Sequence, residues 1–267
     1  MLIWKIAMIS NTIRITHSSK TIILSYTSFF QQMDIGYKIY PLGDAAACIE
    51  LGNQINLDIN IKAIAIRDWL SGNAFEGLRD IIVAYCSVSI YYDPTDVKKK
   101  NHLSKTVFGF VSEKLAEAFH RSIPIEVINN EPIKIPVCYA NDFGTDIDFV
   151  SKEKKISREE IIQLHTSKTY RVYMIGFLPG FPYLGQVDEK LNIPRKAKPI
   201  TVAAGSVGLA SGQTGIYPLG CPGGWQIIGR TPMKFFDAYA DIPVTLHIGN
   251  EVQFYEITKD EFNTYPK

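Results

Sequence analysis

Residues 199–229 contain no charged side chain, yet basic residues stand on both sides of this stretch. The flanking cations are Arg195, Lys196 and Lys198 before it and Arg230 after it. Exposed backbone N–H groups and guanidinium groups both bind carboxylate or phosphate. A single glycine is more simply explained by a tight turn. The glycine-rich neutral stretch with cationic edges nevertheless predicts an anion-binding site.

Polar and aromatic side chains that could recognise an amide are concentrated in the same stretch: Ser206, Gln213, Thr214, Tyr217, Trp225 and Gln226. Gln213 and Tyr217 offer directional hydrogen-bond donors and acceptors. Ser206 lacks the G-x-S-x-G pattern of a hydrolase nucleophile and has no neighbouring histidine or carboxylate, so a structural hydroxyl is the favoured interpretation. Trp225 follows two glycines, and a core position is favoured over a ligand-stacking one.

Groups that could transfer a proton are scarce near this stretch. The candidates are His165, at the predicted end of a helix, and Asp142, Asp146 and Asp148. A lone histidine or aspartate is more often structural than catalytic. The stretch also lacks the GxxxxGK[ST] loop that would hold ATP by itself. The sequence therefore predicts a binding surface that needs partner groups for catalysis.

The composition excludes several classes of protein. The chain has 267 residues, 46% of them hydrophobic, and a formal net charge of +1, so no global field attracts nucleic acid or an anionic membrane. Its length allows two modest domains or one large one. The four cysteines are scattered without C-x-x-C spacing and the five histidines are isolated. We expect buried thiols in a reducing cytoplasm and no structural metal.

The elements that precede the stretch form two groups. KIYPLG and AACIELG predict two strands around a turn at Gly43, the next segment predicts a helix ending at Gly72, and IIVAYCSVSIYYD predicts one strand. Residues 93–101, DPTDVKKKN, are the most loop-like part of the chain, and their lysines favour a solvated turn or helix start. A second, β-rich domain is predicted to begin after this loop.

The later elements are a helix followed mainly by short strands. Apolar residues from Val107 to Phe119 recur at helical spacing, IEVIN, IKIPVCY and TYRVYMIGF predict strands, and a capping box at Ser157 predicts a helix from Arg158 to His165. Eleven of the 19 glycines lie within residues 176–229. Short strands joined by glycine turns favour a closed or rolled β structure.

The first 32 residues require a separate interpretation. Their apolar runs are short and interrupted by polar residues, no small-residue cleavage site follows, and no run approaches the roughly 18 apolar residues of a membrane span. Met33 directly precedes the first regular pattern. We therefore expect residues 1–32 to be an appended or upstream-translated extension, and the protein to be cytoplasmic.

Three segments resemble one known family. YRVYMIGFLPGFPYLG (170–185), AGSVGLASGQTGIYP (204–218) and CPGGWQIIGRTP (221–232) are similar to the signature of the family that contains the 5-oxoprolinase B subunits and the Kip inhibitor, also described as allophanate hydrolase subunit 1. The resemblance continues more weakly over residues 37–240. It therefore leaves residues 1–32 outside the match.

The resemblance implies an α+β fold with an N-terminal α+β domain over residues 33–100 and a cyclophilin-like β-barrel over residues 101–267, equivalent to carboxyltransferase subdomains C and D. It implies an ATP-hydrolysing, non-autonomous subunit that cleaves 5-oxoproline to glutamate with subunits A and C, with ATP and Mg²⁺ acting at the level of the complex. Carried over by position, the catalytic candidates are His165, Arg195 and Arg230. The substrate-binding candidates are Ser206, Gln213, Tyr217 and Trp225.

Two other functions have some support in the sequence. The Kip-inhibitor branch of the same family implies a regulatory protein that binds and inhibits a sensor histidine kinase, and shared motifs do not separate this role from the enzymatic one. The segment FHRSIP, residues 119–124, is also similar to the catalytic-arginine segment of cyclophilin prolyl isomerases. We reject prolyl isomerase activity because this segment ends a predicted amphipathic helix and the downstream cyclophilin residues are missing.

Overall fold

The structure, a computed structural model, describes the backbone of residues 5–9, 12–17 and 20–25, and residues 35–101, 105–123 and 131–266 in full. Chain contacts divide it into two units, Met1–Tyr37 and Lys38–Lys267. The first unit contains a three-stranded antiparallel sheet of consecutive strands: β1 (Lys5–Ile9), β2 (Thr12–His17) and β3 (Lys20–Ser25). The interpretation of residues 1–32 as an extension stays a prediction.

The second unit begins with two antiparallel hairpins and three helices. In chain order these are β4 (Lys38–Pro41), β5 (Ala46–Glu50), α1 (Leu57–Gly72), β6 (Leu78–Ala84), β7 (Ser87–Tyr92), α2 (Pro94–Lys100) and α3 (Val107–Arg121). Helix α1 begins where the Asn56 side chain accepts a hydrogen bond from the Ile59 amide at 3.1 Å. It buries Ala63, Ile66 and Leu70 and ends at Gly72, which confirms the predicted helix.

The remaining elements of the unit are mainly short strands, together with three helices and a 3₁₀ turn. They are β8 (Ile133–Val137), α4 (Ile147–Lys154), α5 (Arg158–Thr166), β9 (Thr169–Ile175), β10 (Pro182–Gly185), a 3₁₀ turn (Glu189–Leu191), β11 (Ile200–Val202), β12 (Ser206–Ala210), β13 (Gln213–Ile216), β14 (Cys221–Gly223), β15 (Gln226–Arg230), β16 (Glu251–Glu256) and α6 (Lys259–Thr264). Ser157 caps α5 as predicted. The predicted strand IEVIN lies outside the described residues.

The prediction of one continuous strand over IIVAYCSVSIYYD is wrong. The chain reverses after Ala84, which pairs with Ser87, so β6 and β7 form an antiparallel hairpin. Tyr85, in the turn, has φ 49°. This left-handed conformation is normally supplied by glycine, asparagine or aspartate. None of these residues stands at the turn, so the local sequence carried no turn signal.

The prediction of a loop over residues 93–101 is also wrong, because α2 occupies most of it. The Asp93 carboxylate accepts hydrogen bonds from the amides of Thr95 and Asp96 at 2.9 and 3.0 Å. Pro94 occupies the first helical turn, where its missing N–H has no cost. The lysine run therefore closes a capped helix, where positive charge suits the helix dipole.

A predominantly antiparallel sheet of eleven strands, in the part of the chain that is described, joins most of these elements. Its order is β15-β12-β13-β10-β9-β6-β7-β5-β4, with β16 paired to β9 and, in parallel, to β8. The pair Ala84 and Met174 connects β6 to β9, so strands before and after residue 100 share one sheet. A domain boundary at residue 100 stays a prediction.

The mixed α and β composition agrees with the predicted α+β class, but the closed barrel is not confirmed. In the described residues no strand ladder pairs β8 with β15, the two ends of the path β15-β12-β13-β10-β9-β16-β8. Among the residues described, only an isolated bridge between Cys138 and Arg230 joins β15 to the residue after β8. No helix in the described ranges has the length and apolar character of a membrane span.

Alternation along the strands separates two buried clusters. One face of β12 and β13 contributes Val207, Leu209 and Ile216 to the main core. The opposite face contributes Ala210 to a smaller cluster with Phe181, Val202, Tyr217, Trp225 and Ile227. Because successive side chains of a strand point to opposite faces, the same short strands build both clusters. The smaller cluster forms the base of the candidate site.

Candidate functional site

A cavity of about 230 Å³ opens above the smaller cluster. Its lining comes from the β9–β10 loop, β10, the β12–β13 turn and the segments around residues 195 and 225, and consists of Phe177, Phe181, Tyr183, Arg195, Ala210, Ser211, Gln213, Tyr217 and Trp225. Four of the seven predicted site residues are therefore brought together. The other three, Ser206, Arg230 and His165, do not line it.

Aromatic rings packed edge to face make the wall of the cavity. The ring of Phe181 lies 5.0 Å from that of Tyr217 and 5.5 Å from that of Trp225, with interplanar angles of 79° and 84°. This geometry is the favourable one for aromatic pairs. A Cβ atom on Gly223 would stand 2.7 Å from the Tyr217 hydroxyl oxygen, so this position requires glycine. Burial raises the pKa of Tyr217, which keeps its hydroxyl protonated.

The segment before and after Arg195 is fixed by hydrogen bonds to β15 and its approach. The Gln226 side chain donates to the Pro194 carbonyl at 3.1 Å, and the Lys196 amide donates to the Gly224 carbonyl at 2.7 Å. The guanidinium lies against Gly224, where a Cβ atom would come within 3.2 Å of Nη2. Arg195 itself is exposed and forms no ion pair with any carboxylate in the described ranges. Its charge is available at the cavity mouth.

Lys196, the next predicted cation, is turned inward. Its ammonium pairs with Asp146, and the two side chains are only 14% and 15% exposed. It also donates to the Trp225 carbonyl at 3.2 Å, while Asp146 accepts from the Ile227 amide at 2.7 Å. The ion pair thus ties the start of α4 to β15 and to the segment that carries Arg195.

Arg230 and Ser206 meet in the sheet rather than at the cavity. They are register partners between β12 and β15. The Arg230 guanidinium donates to the Ala204 carbonyl at 2.7 Å and lies 5.8 Å from the centre of the Phe262 ring. Ser206 is buried, and its carbonyl accepts from the Tyr217 amide at 2.8 Å. Of the basic residues flanking the uncharged stretch, only Arg195 lines the cavity.

His165 is buried in the main core with both ring nitrogens occupied. Nδ1 lies 2.7 Å from the Tyr139 hydroxyl and Nε2 lies 2.9 Å from the Thr214 hydroxyl. The ring stacks on Phe254 with centres 4.4 Å apart. Burial lowers the pKa of His165 to about 3, so the imidazole is neutral at physiological pH. This environment supports a structural role.

The aspartate candidates also lie away from the cavity. Asp142 pairs with Lys259, Asp146 with Lys196, and Asp148 with Arg158 at 3.4 Å. The residues that line the cavity include neither a carboxylate nor an imidazole. The arrangement can therefore bind an anion and an amide but contains no strong proton acceptor of its own.

Sequence reasoning missed Tyr85, which touches the cavity through Gln213. The Tyr85 hydroxyl lies 3.2 Å from Oε1 and 3.0 Å from Nε2 of the Gln213 side chain. Burial raises the pKa of Tyr85 to about 12, so its hydroxyl keeps its proton. Because Tyr85 was placed inside a continuous strand, nothing in the local pattern pointed to a contact 128 positions away.

The profile of the family described as "Carboxyltransferase domain, subdomain C and D" matches residues 37–246. The chain belongs to this carboxyltransferase family. A Bacillus subtilis (strain 168) member, named as the B subunit of 5-oxoprolinase, is 37% identical over 237 residues, which cover 87% of this chain and 98% of the relative. An Escherichia coli O157:H7 member with the same name is 46% identical over 123 residues, covering 46% and 56%. The resemblance to the 5-oxoprolinase B subunits is thereby confirmed.

Two solved structures share the fold of this chain. The crystal structure of TTHA0988 has a TM-score of 0.68 at 29% identity and covers 82% of this chain, which spans 41% of that one. The Kluyveromyces lactis urea amidolyase gives the same TM-score at 19% identity, covering 85% of this chain and 15% of that one. The second likeness concerns the fold alone.

Proposed function

We propose that this carboxyltransferase-family chain is the B subunit of an ATP-dependent 5-oxoprolinase and that its cavity binds 5-oxoproline. The name shared by the bacterial relatives supports the activity. The observation that carries the binding site is the Arg195 guanidinium, which no carboxylate of the described residues neutralises, at the mouth of a small aromatic cavity that also contains the Gln213 amide. 5-Oxoproline presents the matching groups, which are a carboxylate, a five-membered ring and a ring amide.

Each part of this ligand has a counterpart in the cavity. Arg195 can bind a carboxylate through two parallel hydrogen bonds. The Phe181, Tyr217 and Trp225 rings can cover the apolar faces of the ligand ring. Gln213 can pair with the ring amide. The volume of about 230 Å³ is below the roughly 300–1,000 Å³ typical of drug-sized ligands and suits a small metabolite.

The cavity does not fit ATP with Mg²⁺. Magnesium prefers oxygen ligands, usually carboxylates and phosphates, and no carboxylate lines this cavity. In the described part of the chain, no three His, Cys, Asp or Glu side chains are grouped to hold a metal ion. The proposal therefore keeps ATP and Mg²⁺ out of this cavity and at the level of the assembled complex. The role of this chain is to hold and orient the cyclic amide while partner groups supply the acid and base.

Binding is assigned to Arg195, Gln213, Tyr217 and Trp225, which line the cavity. His165, Ser206 and Arg230 are left out of the proposed substrate contacts, because their environments support roles within the sheet and core. Inhibition of a sensor histidine kinase remains a prediction from the sequence.

Reconstitution with subunits A and C, 5-oxoproline and Mg-ATP should yield glutamate and ADP, whereas this chain alone should hydrolyse nothing. Arg195→Ala should lower kcat/KM about 10- to 100-fold, because a charged hydrogen bond contributes roughly 1.5–3 kcal/mol. Lys198→Ala is the matched control, since this nearby cation does not line the cavity. Full activity of the Arg195→Ala complex would exclude the proposed anion site.

A further inference from the structure

The backbone of Tyr85 has a left-handed conformation that is stabilised by neighbouring groups. Its φ of 49° is unusual for a bulky residue. The Tyr85 amide donates to the Tyr173 carbonyl at 3.3 Å, and the two rings stack with centres 6.3 Å apart. A backbone conformation of this kind persists only where neighbouring groups determine it, and such residues concentrate at functional sites.

Asn60, on helix α1, is the main support of this turn. It is completely buried, and its side-chain nitrogen donates to the carbonyls of Tyr85 at 2.9 Å and Tyr173 at 3.2 Å. Its side-chain oxygen accepts from Nε of Arg171 at 3.1 Å. Because both ends of the amide are held, Asn60 fixes the position of the turn from which the Tyr85 side chain projects.

The Tyr85 hydroxyl meets the Gln213 amide at both of its polar atoms, 3.2 Å from Oε1 and 3.0 Å from Nε2. A glutamine amide has two N–H donors and an oxygen with two lone pairs, so part of its capacity remains for a ligand. Rotation about the terminal side-chain torsion is otherwise broad and roughly two-fold. Because the hydroxyl contacts both atoms, it holds the plane of the amide, and without Tyr85 that plane could turn about the terminal torsion.

We propose that Tyr85 is a positioning residue that fixes the Gln213 amide and thereby makes the cavity select a cyclic amide over an equally sized ring without one. The inference rests on the proposed function for the identity of the ligand. It also explains why the β6–β7 turn, far from the cavity in sequence, is clamped by a buried asparagine.

The test uses the full chain assembled with its partner subunits and two probes, 5-oxoproline and cyclopentanecarboxylate. The second probe has the ring and carboxylate but no amide. In isothermal titration, Tyr85→Phe should weaken 5-oxoproline binding about five- to tenfold, the usual effect of one hydrogen bond, and leave cyclopentanecarboxylate binding unchanged. Tyr173→Phe is the matched control, since it removes a neighbouring hydroxyl that does not contact Gln213.

A second variant guards against a folding defect in Tyr85→Phe. Gln213→Met should cause the same selective loss, and adding Tyr85→Phe to it should cause no further loss. If the wild-type complex prefers 5-oxoproline and Tyr85→Phe keeps that preference, the positioning role is wrong while the proposed function stands. If the wild type binds neither probe, the proposed function and this selectivity both fail. Equal wild-type affinity for the two probes rejects the selectivity alone.

Discussion

Strand β13 has two neighbouring polar residues whose side chains lie on opposite faces of the sheet. Gln213 lines the cavity and Thr214 points into the main core, as the alternation of a strand requires. A tyrosine hydroxyl organises each side, Tyr85 for Gln213 and Tyr139 through His165 for Thr214. The two faces differ in what remains unsatisfied once these contacts are made.

On the core face every polar hydrogen of this network has a partner. The Thr214 hydroxyl donates to the Gly208 carbonyl at 3.1 Å, so the imidazole proton is assigned to Nε2 of His165, which donates to Thr214. Nδ1 then accepts from the Tyr139 hydroxyl. On the cavity face, Arg195 has no ion pair within the described ranges and Gln213 keeps part of its hydrogen-bonding capacity. A ligand can therefore bind at the cavity, whereas the core network has no polar hydrogen left to donate to one.

Removing the centre of the core network should produce the largest effect. His165→Ala leaves the Tyr139 and Thr214 hydroxyls without their partner and removes the ring stacked on Phe254. We expect a loss of about 3–5 kcal/mol in the free energy of unfolding, comparable to other large-to-small core changes with lost hydrogen bonds. Urea denaturation measures it.

His247→Ala is the control for this prediction, because His247 is exposed. It should change the free energy of unfolding by less than about 0.5 kcal/mol. If His165→Ala were as stable as the wild type but inactive in the assembled complex, His165 would have a catalytic role that its burial argues against.

A smaller effect is expected from loosening the cavity face. Asp146→Asn keeps an acceptor for the Ile227 amide but leaves the Lys196 ammonium without its counter-charge. We expect the protein to lose about 2 kcal/mol of stability and the Arg195 guanidinium to shift, which should weaken 5-oxoproline binding several-fold. Titration calorimetry and urea denaturation measure the two losses.

Asp148→Asn, on the exposed side of α4, is the matched control for Asp146→Asn, since the Asp148 side chain is 66% exposed. It should alter neither quantity measurably. Unchanged binding in a destabilised Asp146→Asn protein would show that the ion pair supports the fold without positioning Arg195.

Sequence reasoning grouped four of the nine residues that line the cavity but none of the long-range contacts that organise them. Arg195, Gln213, Tyr217 and Trp225 lie in one glycine-rich stretch, so local pattern could group them. The role of Tyr85 depends on a turn without a turn-forming residue. The helix over residues 94–100 was missed because its cap and proline were interpreted as loop features, although both also mark a helix start.

His165 illustrates a different limit of sequence reasoning. An isolated histidine at a helix end has the same local pattern whether it faces a cleft or the core, and long-range partners decide between the two. Thr214 is 49 positions away and Tyr139 is 26 positions away. The closed barrel depended on the same kind of information, because closure is a matter of pairing between distant strands such as β8 and β15.

The smallest expected effect is the contribution of the core-face network to the pH dependence of the free energy of unfolding. The pKa of His165 is about 3 in the folded protein and about 6.5 when exposed, so between these values the unfolded chain binds the additional proton. The stability that neutral, buried His165 contributes is thus fully present above pH 6.5 and is lost as the pH falls below that value. From pH 7.5 to 5.5 this group should lower the free energy of unfolding by about 1.4 kcal/mol. His165→Gln should abolish that portion of the decrease. An identical decrease in the variant would mean that His165 is already protonated, or exposed, in the folded state.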